Sequence, residues 1–385
     1  MILEILINHH TTNDQHTMKF FTIKNPPGVP HIALKLLRLV GVSETKAEKY
    51  RYVPMFVIFI AIIAVPKIVF GYPNFESSII GLAELFFQSN RFVGVLLLVL
   101  YKDTLFALVR QSEYFTKKLL KESSPAAQYL TKVDAHITKI TRLYLTALLV
   151  PANFYSYSPI ISTLWKYYNT HDNDTTGTEH VLHMEENFYG LNIRETLSHY
   201  LIFGVIMVPT SFICALVGTA KLVSILSLIK YCTIYFQLVT LKLEELLQKP
   251  SFDSYEIKSV LRMHQDALGC ADLLATLTAP IMLLQLLLCI LSAYIAHAVY
   301  ECNWENLTPK TQKDLQLTLV RAQRPVGITA GKFCFMNMEQ FAEGFNVNFM
   351  TLFVLFVFDT TETFAYCYLG EQLSQEVAAF EQTLD

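Results

Sequence analysis

The sequence predicts an all-α, polytopic helical membrane protein, and three observations carry that expectation. Hydrophobic residues make up 52% of the 385-residue chain and charged residues only 16%, well below the roughly 25% charged of soluble domains. Several apolar runs are long enough to cross about 30 Å of hydrocarbon. Lysines and arginines gather between those runs, as they do in loops held on the cytosolic side during insertion. These observations exclude a soluble protein, and no basic patch points to nucleic acid. The formal charge of -3 says little about partners, because the distribution of charge among loops carries the information.

About six spans are recognisable. Residues 1–51 are polar and carry Lys24, Lys35, Arg38, Lys46, Lys49 and Arg51, which places them in the cytosol ahead of the first span. The run from Met1 to Ile7 is too short for a signal-peptide core, so no cleavable signal is expected. The first span runs from about Tyr52 to Phe70, with Pro66 expected to kink its end and Lys67 expected to snorkel to the interface. A second, about Ile79 to Tyr101, contains Glu84 and Arg91. Those two charges line a polar cavity, or the helix starts later and both sit near the outer interface, which is the expected reading. Lys102, Arg110, Lys117, Lys118 and Lys121 then mark a cytosolic return.

The third span, about Leu143 to Trp165, alternates aromatic, hydroxyl and proline residues from Pro151 to Pro159. Its outer half is a small-ligand candidate, since apolar pockets with a few placed polar groups orient small molecules; aromatics anchoring a helix at the interface are the plainer alternative. Residues 166–196 form an acidic exterior loop in which Asn173-Asp174-Thr175 is a glycosylation sequon. His171, His180 and His183 share that loop but match no metal-site spacing. The fourth span, about Tyr200 to Thr219, is expected to return to the cytosol at Lys221. Leu222, Ile225, Ile229, Cys232, Phe236 and Val239 then continue at helical spacing, predicting a helical cytosolic extension over 221–271. The fifth span occupies about 272–295, a basic segment covers 296–345, the last span covers 346–370, and 371–385 is an acidic tail. The seven cysteines lack CxxC spacing and read as reduced packing residues. No metal or cofactor is expected, and the absence of HExxH, GxSxG or Walker phrases argues against an enzyme.

Particular phrases carry a family resemblance. Trp304, Pro309, Gln323-Arg324-Pro325, Thr329-Ala330-Gly331-Lys332-Phe333, Tyr189-Gly190-Leu191 and Tyr366-Cys367-Tyr368-Leu369-Gly370-Glu371-Gln372-Leu373 together resemble the insect odorant receptor family, in its mosquito-like or fly-like branch. The resemblance covers nearly the whole chain in pieces. It departs from the family in order, because the block resembling the sixth helix, about 348–376, follows the Gly-Lys-Phe phrase instead of preceding the Trp-containing segment. Moving that block between Ile295 and Ala296 restores the family order and also puts the basic segment on the cytosolic side.

The resemblance implies a seven-helix subunit of a ligand-gated, non-selective cation channel. That subunit works in the plasma membrane with a shared odorant receptor coreceptor and binds a small volatile ligand. It implies that Trp304, Pro309, Pro325 and Phe333 belong to a cytosolic anchor between subunits, and that the ligand pocket lies in the outer halves of helices two to six. The pocket candidates there are Phe86, Phe87, Phe154, Tyr155, Tyr157, Tyr200 and Phe203, where rings give contact area and hydroxyls give orientation. Each is equally compatible with ordinary core packing. Other classes compatible with the composition are a non-channel membrane chemoreceptor and a transporter. A transporter would show repeated, broken helices, and no such pair is present in the sequence.

Overall fold

A computed structural model describes residues 27–44, 50–70, 75–121, 125–169, 188–193, 196–249, 253–301 and 347–384. Among these residues all regular structure is helical apart from one isolated bridge between Phe188 and Leu191. In chain order the helices are α1 (His31–Leu39), α2 (Tyr52–Ile58), α3 (Val65–Val69), α4 (Phe75–Leu100), α5 (Lys102–Lys121), α6 (Pro125–Asn169), α7 (Leu197–Leu247), α8 (Ser254–Glu301) and α9 (Val347–Leu384). Among the described residues four stretches are long and apolar enough to cross a membrane: Tyr52–Val69, Gly81–Leu100, Leu197–Leu247 and Ser254–Leu288.

A π-helical turn, Phe59–Ala64, joins α2 to α3. Pro66 lies just beyond it in the first turn of α3. Proline has no N–H and its ring crowds the carbonyl four residues earlier, so a widened turn before it lets the chain continue as one rod. The expected kink is thus replaced by a π-helical turn ahead of Pro66, through which the helical backbone continues.

Helix α7 is the axis of the molecule. It packs against α1, α4, α6, α8 and α9, and nearly every residue from Cys214 to Val239 is buried. A helix apolar all round must be surrounded by others to bury that surface. Its 51 residues span roughly 75 Å at about 1.5 Å per residue, more than twice the hydrocarbon thickness. Part of it therefore extends beyond any bilayer it crosses. The expected helical extension after Lys221 is present, and it is continuous with the fourth span.

Lys67 and Lys221 differ from expectation. The Lys67 side chain does not snorkel: it is 3% exposed and pairs with Glu84 at 2.7 Å. Lys221 does not mark a wet boundary, being completely buried within α7. The acidic segment 371–384 is the last part of α9. There Gln372 accepts from Lys230 at 3.0 Å, Glu376 accepts from Gln237 at 2.7 Å, and Phe380 stacks on His264 at 4.0 Å.

At the opposite side of the core the chain ahead of α1 is stapled down at Gly28. Its N–H donates to Asp134 at 2.8 Å, Tyr231 donates to the same carboxylate oxygen at 2.6 Å, and Tyr235 donates to the Gly28 carbonyl at 2.7 Å. Gly28 has φ +97°, and a Cβ there would lie 2.4 Å from Thr116 Cγ2. Both the backbone angle and the space require glycine.

Candidate functional site

Two clusters along α7 are candidates, one aromatic at its beginning and one charged near its middle. The aromatic cluster forms where α7 starts. Phe203 meets Phe188 edge-on at 5.0 Å, Phe188 meets Tyr189 at 5.0 Å, and Tyr189 meets Phe70 at 5.0 Å. The Tyr189 hydroxyl donates to the Ala61 carbonyl in the π turn. Tyr189 has φ +50° and Gly190 φ +80°, a left-handed turn that folds residues 188–193 back over the helix ends. Ile62, Leu191, Ile206 and Met207 pack around the rings. Beside them Tyr200, buried on α7, shares a 3.1 Å hydrogen bond with Thr163 of α6. The surface formed there is apolar and aromatic, with a hydroxyl pair between Tyr200 and Thr163 close by on α7 and α6.

Of the pocket residues expected from sequence, the structure brings Tyr200 and Phe203 into this end of the bundle. Phe86 is half-buried on α4 and Phe87 is buried there, with the Arg91 guanidinium 3.7 Å from its ring centroid. Tyr157 is exposed on α6. Phe154 and Tyr155 also lie on α6, and their side chains fall outside the described residues. Asn173, Trp304, Pro309, Pro325 and Phe333 lie outside them as well.

The charged cluster went unread in the sequence. Lys221 Nζ lies 2.6 Å from Glu362 Oε1 of α9 and 2.8 Å from Asn90 Oδ1 of α4. The Asn90 amide donates to Gln285 Oε1 of α8 at 2.5 Å, and the Gln285 amide donates to Thr363 at 3.2 Å. Tyr366 donates to the same Glu362 oxygen at 2.7 Å. Four helices thus meet through charged and amide groups at a buried point. An ammonium removed from water is tolerated only when a counter-charge and oriented acceptors replace its hydration. Two glycines make room: a Cβ at Gly94 would sit 2.9 Å from Lys221 Cδ, and one at Gly218 would sit 2.7 Å from Arg91 Cδ. Each long cationic side chain therefore lies across a glycine of the facing helix. The sequence signal available was a lysine, an asparagine and a glutamate inside otherwise apolar helical stretches.

Among the described residues no group of three or more histidine, cysteine or acidic side chains could hold a metal ion. The cysteines described, Cys214, Cys232, Cys270 and Cys367, are all free.

Comparisons with known proteins add the following. Residues 291–346 match the family described as 7tm Odorant receptor. Over 52 residues the chain is 38% identical to Odorant receptor 2a of Drosophila melanogaster, a stretch that is 14% of this chain and 13% of the length of that receptor. The insect olfactory receptor OR5 from Machilis hrabei, solved in complex with eugenol, aligns over 85% of this chain and 97% of its own at 12% identity, with a TM-score of 0.47. The matched residues 291–346 contain Trp304, Pro309 and the Gly331-Lys332-Phe333 phrase, some of the residues that carry the resemblance in sequence. Residues 291–346 are thus similar to that family, and the described residues form a helical bundle that includes four membrane-capable helices.

Proposed function

We propose that the chain is the odorant-sensing subunit of a heteromeric, ligand-gated, non-selective cation channel, working beside an odorant receptor coreceptor in the plasma membrane. The observation that carries this reading is the family match over residues 291–346. The aromatic cluster supports the ligand class. A small, volatile, mostly apolar molecule gains dispersion and area burial against Phe188 and Phe203, and the Tyr200–Thr163 hydroxyl pair offers one hydrogen bond for orientation. An ionic ligand has no place in this reading, since the charges of the bundle interior are already engaged with one another.

The same reading assigns a cytosolic N-terminus, an exterior loop over 166–196 glycosylated at Asn173, and an intersubunit anchor over 296–345 that includes Trp304, Pro309, Pro325 and Phe333. Phe86, Phe87, Phe154, Tyr155 and Tyr157 remain pocket candidates beside Tyr200 and Phe203. The test is whole-cell current evoked by a panel of neutral volatiles in cells expressing the chain with and without an insect coreceptor. Current that requires both subunits is expected. Silence across the panel, with both subunits shown at the cell surface, would overturn the reading.

A further inference from the structure

We infer that the buried Lys221–Glu362 pair is a latch that docks the C-terminal helix α9 into the bundle, fixing its register by side-chain pairing rather than by general hydropathy. Lys221 is completely buried and its ammonium has two oxygen partners, Glu362 of α9 and Asn90 of α4. Neither charge has an inexpensive alternative inside a membrane-capable bundle, so each demands the other. An apolar helix face could slide along its neighbour, because one apolar contact replaces another at little cost. The polar contacts cannot slide.

The contacts spread over one side of the helix. Glu362 and Tyr366 stand four residues apart and share an oxygen, while Thr363 beside them meets Gln285 of α8. Further along, Gln372 meets Lys230 at 3.0 Å and Glu376 meets Gln237 at 2.7 Å, both on α7. A shift of one residue turns a helix by about 100°. Such a shift would carry Glu362 away from Lys221 and leave two uncompensated charges in the core.

Cross-linking in the full chain tests this. With Cys367→Ser as background, Lys230→Cys and Gln372→Cys place a thiol on each side of the α7–α9 contact. The yield with a short bis-thiol reagent in native membranes, normalised to inserted protein, then reports docking. The parent should cross-link. Lys221→Met or Glu362→Met alone should lower the yield by about five-fold or more, because one buried charge is stranded, whereas both together should restore it to within about two-fold. Degradation of the single variants with recovery in the double variant carries the same meaning. Single variants that cross-link like the parent would overturn the latch. So would a double variant no better than the singles, or loss of all three proteins.

Discussion

The two clusters on α7 lie about 20 residues apart, and they hold their helices together by opposite means. At the start of α7, Phe203, Phe188 and their neighbours join through neutral rings, and the hydrogen bonds there, between Tyr200 and Thr163 and from Tyr189 to the Ala61 carbonyl, are local to that end. Near the middle, Lys221, Glu362, Asn90 and Gln285 join four helices through charge and directed hydrogen bonds. Apolar contact is graded, so a ring can be trimmed or repacked at moderate cost and a guest molecule can replace part of the wall. A buried ion pair is close to all or nothing, because removing one partner exposes the other to a medium that cannot solvate it. The proposed function, in which neutral molecules enter a bundle that holds its register, is served by keeping the two kinds of contact apart.

The comparison can be broken first at the charged end. Glu362→Ala should destabilise the bundle by about 3–5 kcal/mol, the range for stranding one partner of a buried pair, seen as loss of a monodisperse peak after detergent extraction. Retention of the parental profile would make the crossing no more demanding than the aromatic end. Next in size is Gly218→Ala, which places a Cβ 2.7 Å from Arg91 Cδ. It should displace the guanidinium from the Phe87 ring and cost about 1–3 kcal/mol, measured as a lower apparent melting temperature. The same substitution at Gly204, where the neighbour is the tip of Ile160 at 3.2 Å, should cost under about 1 kcal/mol, since a terminal methyl group can move aside. Equal effects at the two glycines would remove the proposed difference between the ends.

Tyr200→Phe sharpens the aromatic side. It deletes the hydroxyl that meets Thr163, so stability should fall by about 1 kcal/mol, while potency should drop most for volatiles with a polar group and least for pure hydrocarbons. Uniform loss across the panel would assign Tyr200 to packing alone. The smallest effect is expected outside both clusters. Glu44→Ala removes the exposed partner of Arg110 and should change stability by no more than about 1 kcal/mol, with weaker dependence at higher salt.

The sequence made the helical class and the membrane-capable runs legible because hydropathy over a span of about 20 residues is a local property. It also made legible that the helix continues past Lys221, through the spacing of Leu222, Ile225, Ile229 and Cys232. What it misassigned was the lysines. Lys67 and Lys221 read as marks of wet ends because an isolated ammonium in an apolar run is normally near water. Their carboxylate partners are tertiary facts, and Glu362 is 141 residues from Lys221. The aromatic end was half legible. Tyr200 and Phe203 stood out by composition, whereas Phe188 joins them only because the left-handed turn at Tyr189 and Gly190 folds its loop over the bundle. Nothing in a window of sequence indicates which neighbouring ring that turn will meet.

The proposed function puts the ligand at the aromatic end, and the proposed latch at the charged crossing keeps the bundle in register. Dose–response currents for Phe203→Ala beside the parent chain, each with coreceptor and matched for surface amount, test it most directly. The account predicts half-maximal concentrations shifted by about ten-fold or more for at least the best apolar agonists, the effect of losing about 1.4 kcal/mol or more of ring contact. Unshifted potency across the panel, with currents of normal size, would place the ligand elsewhere and contradict the account.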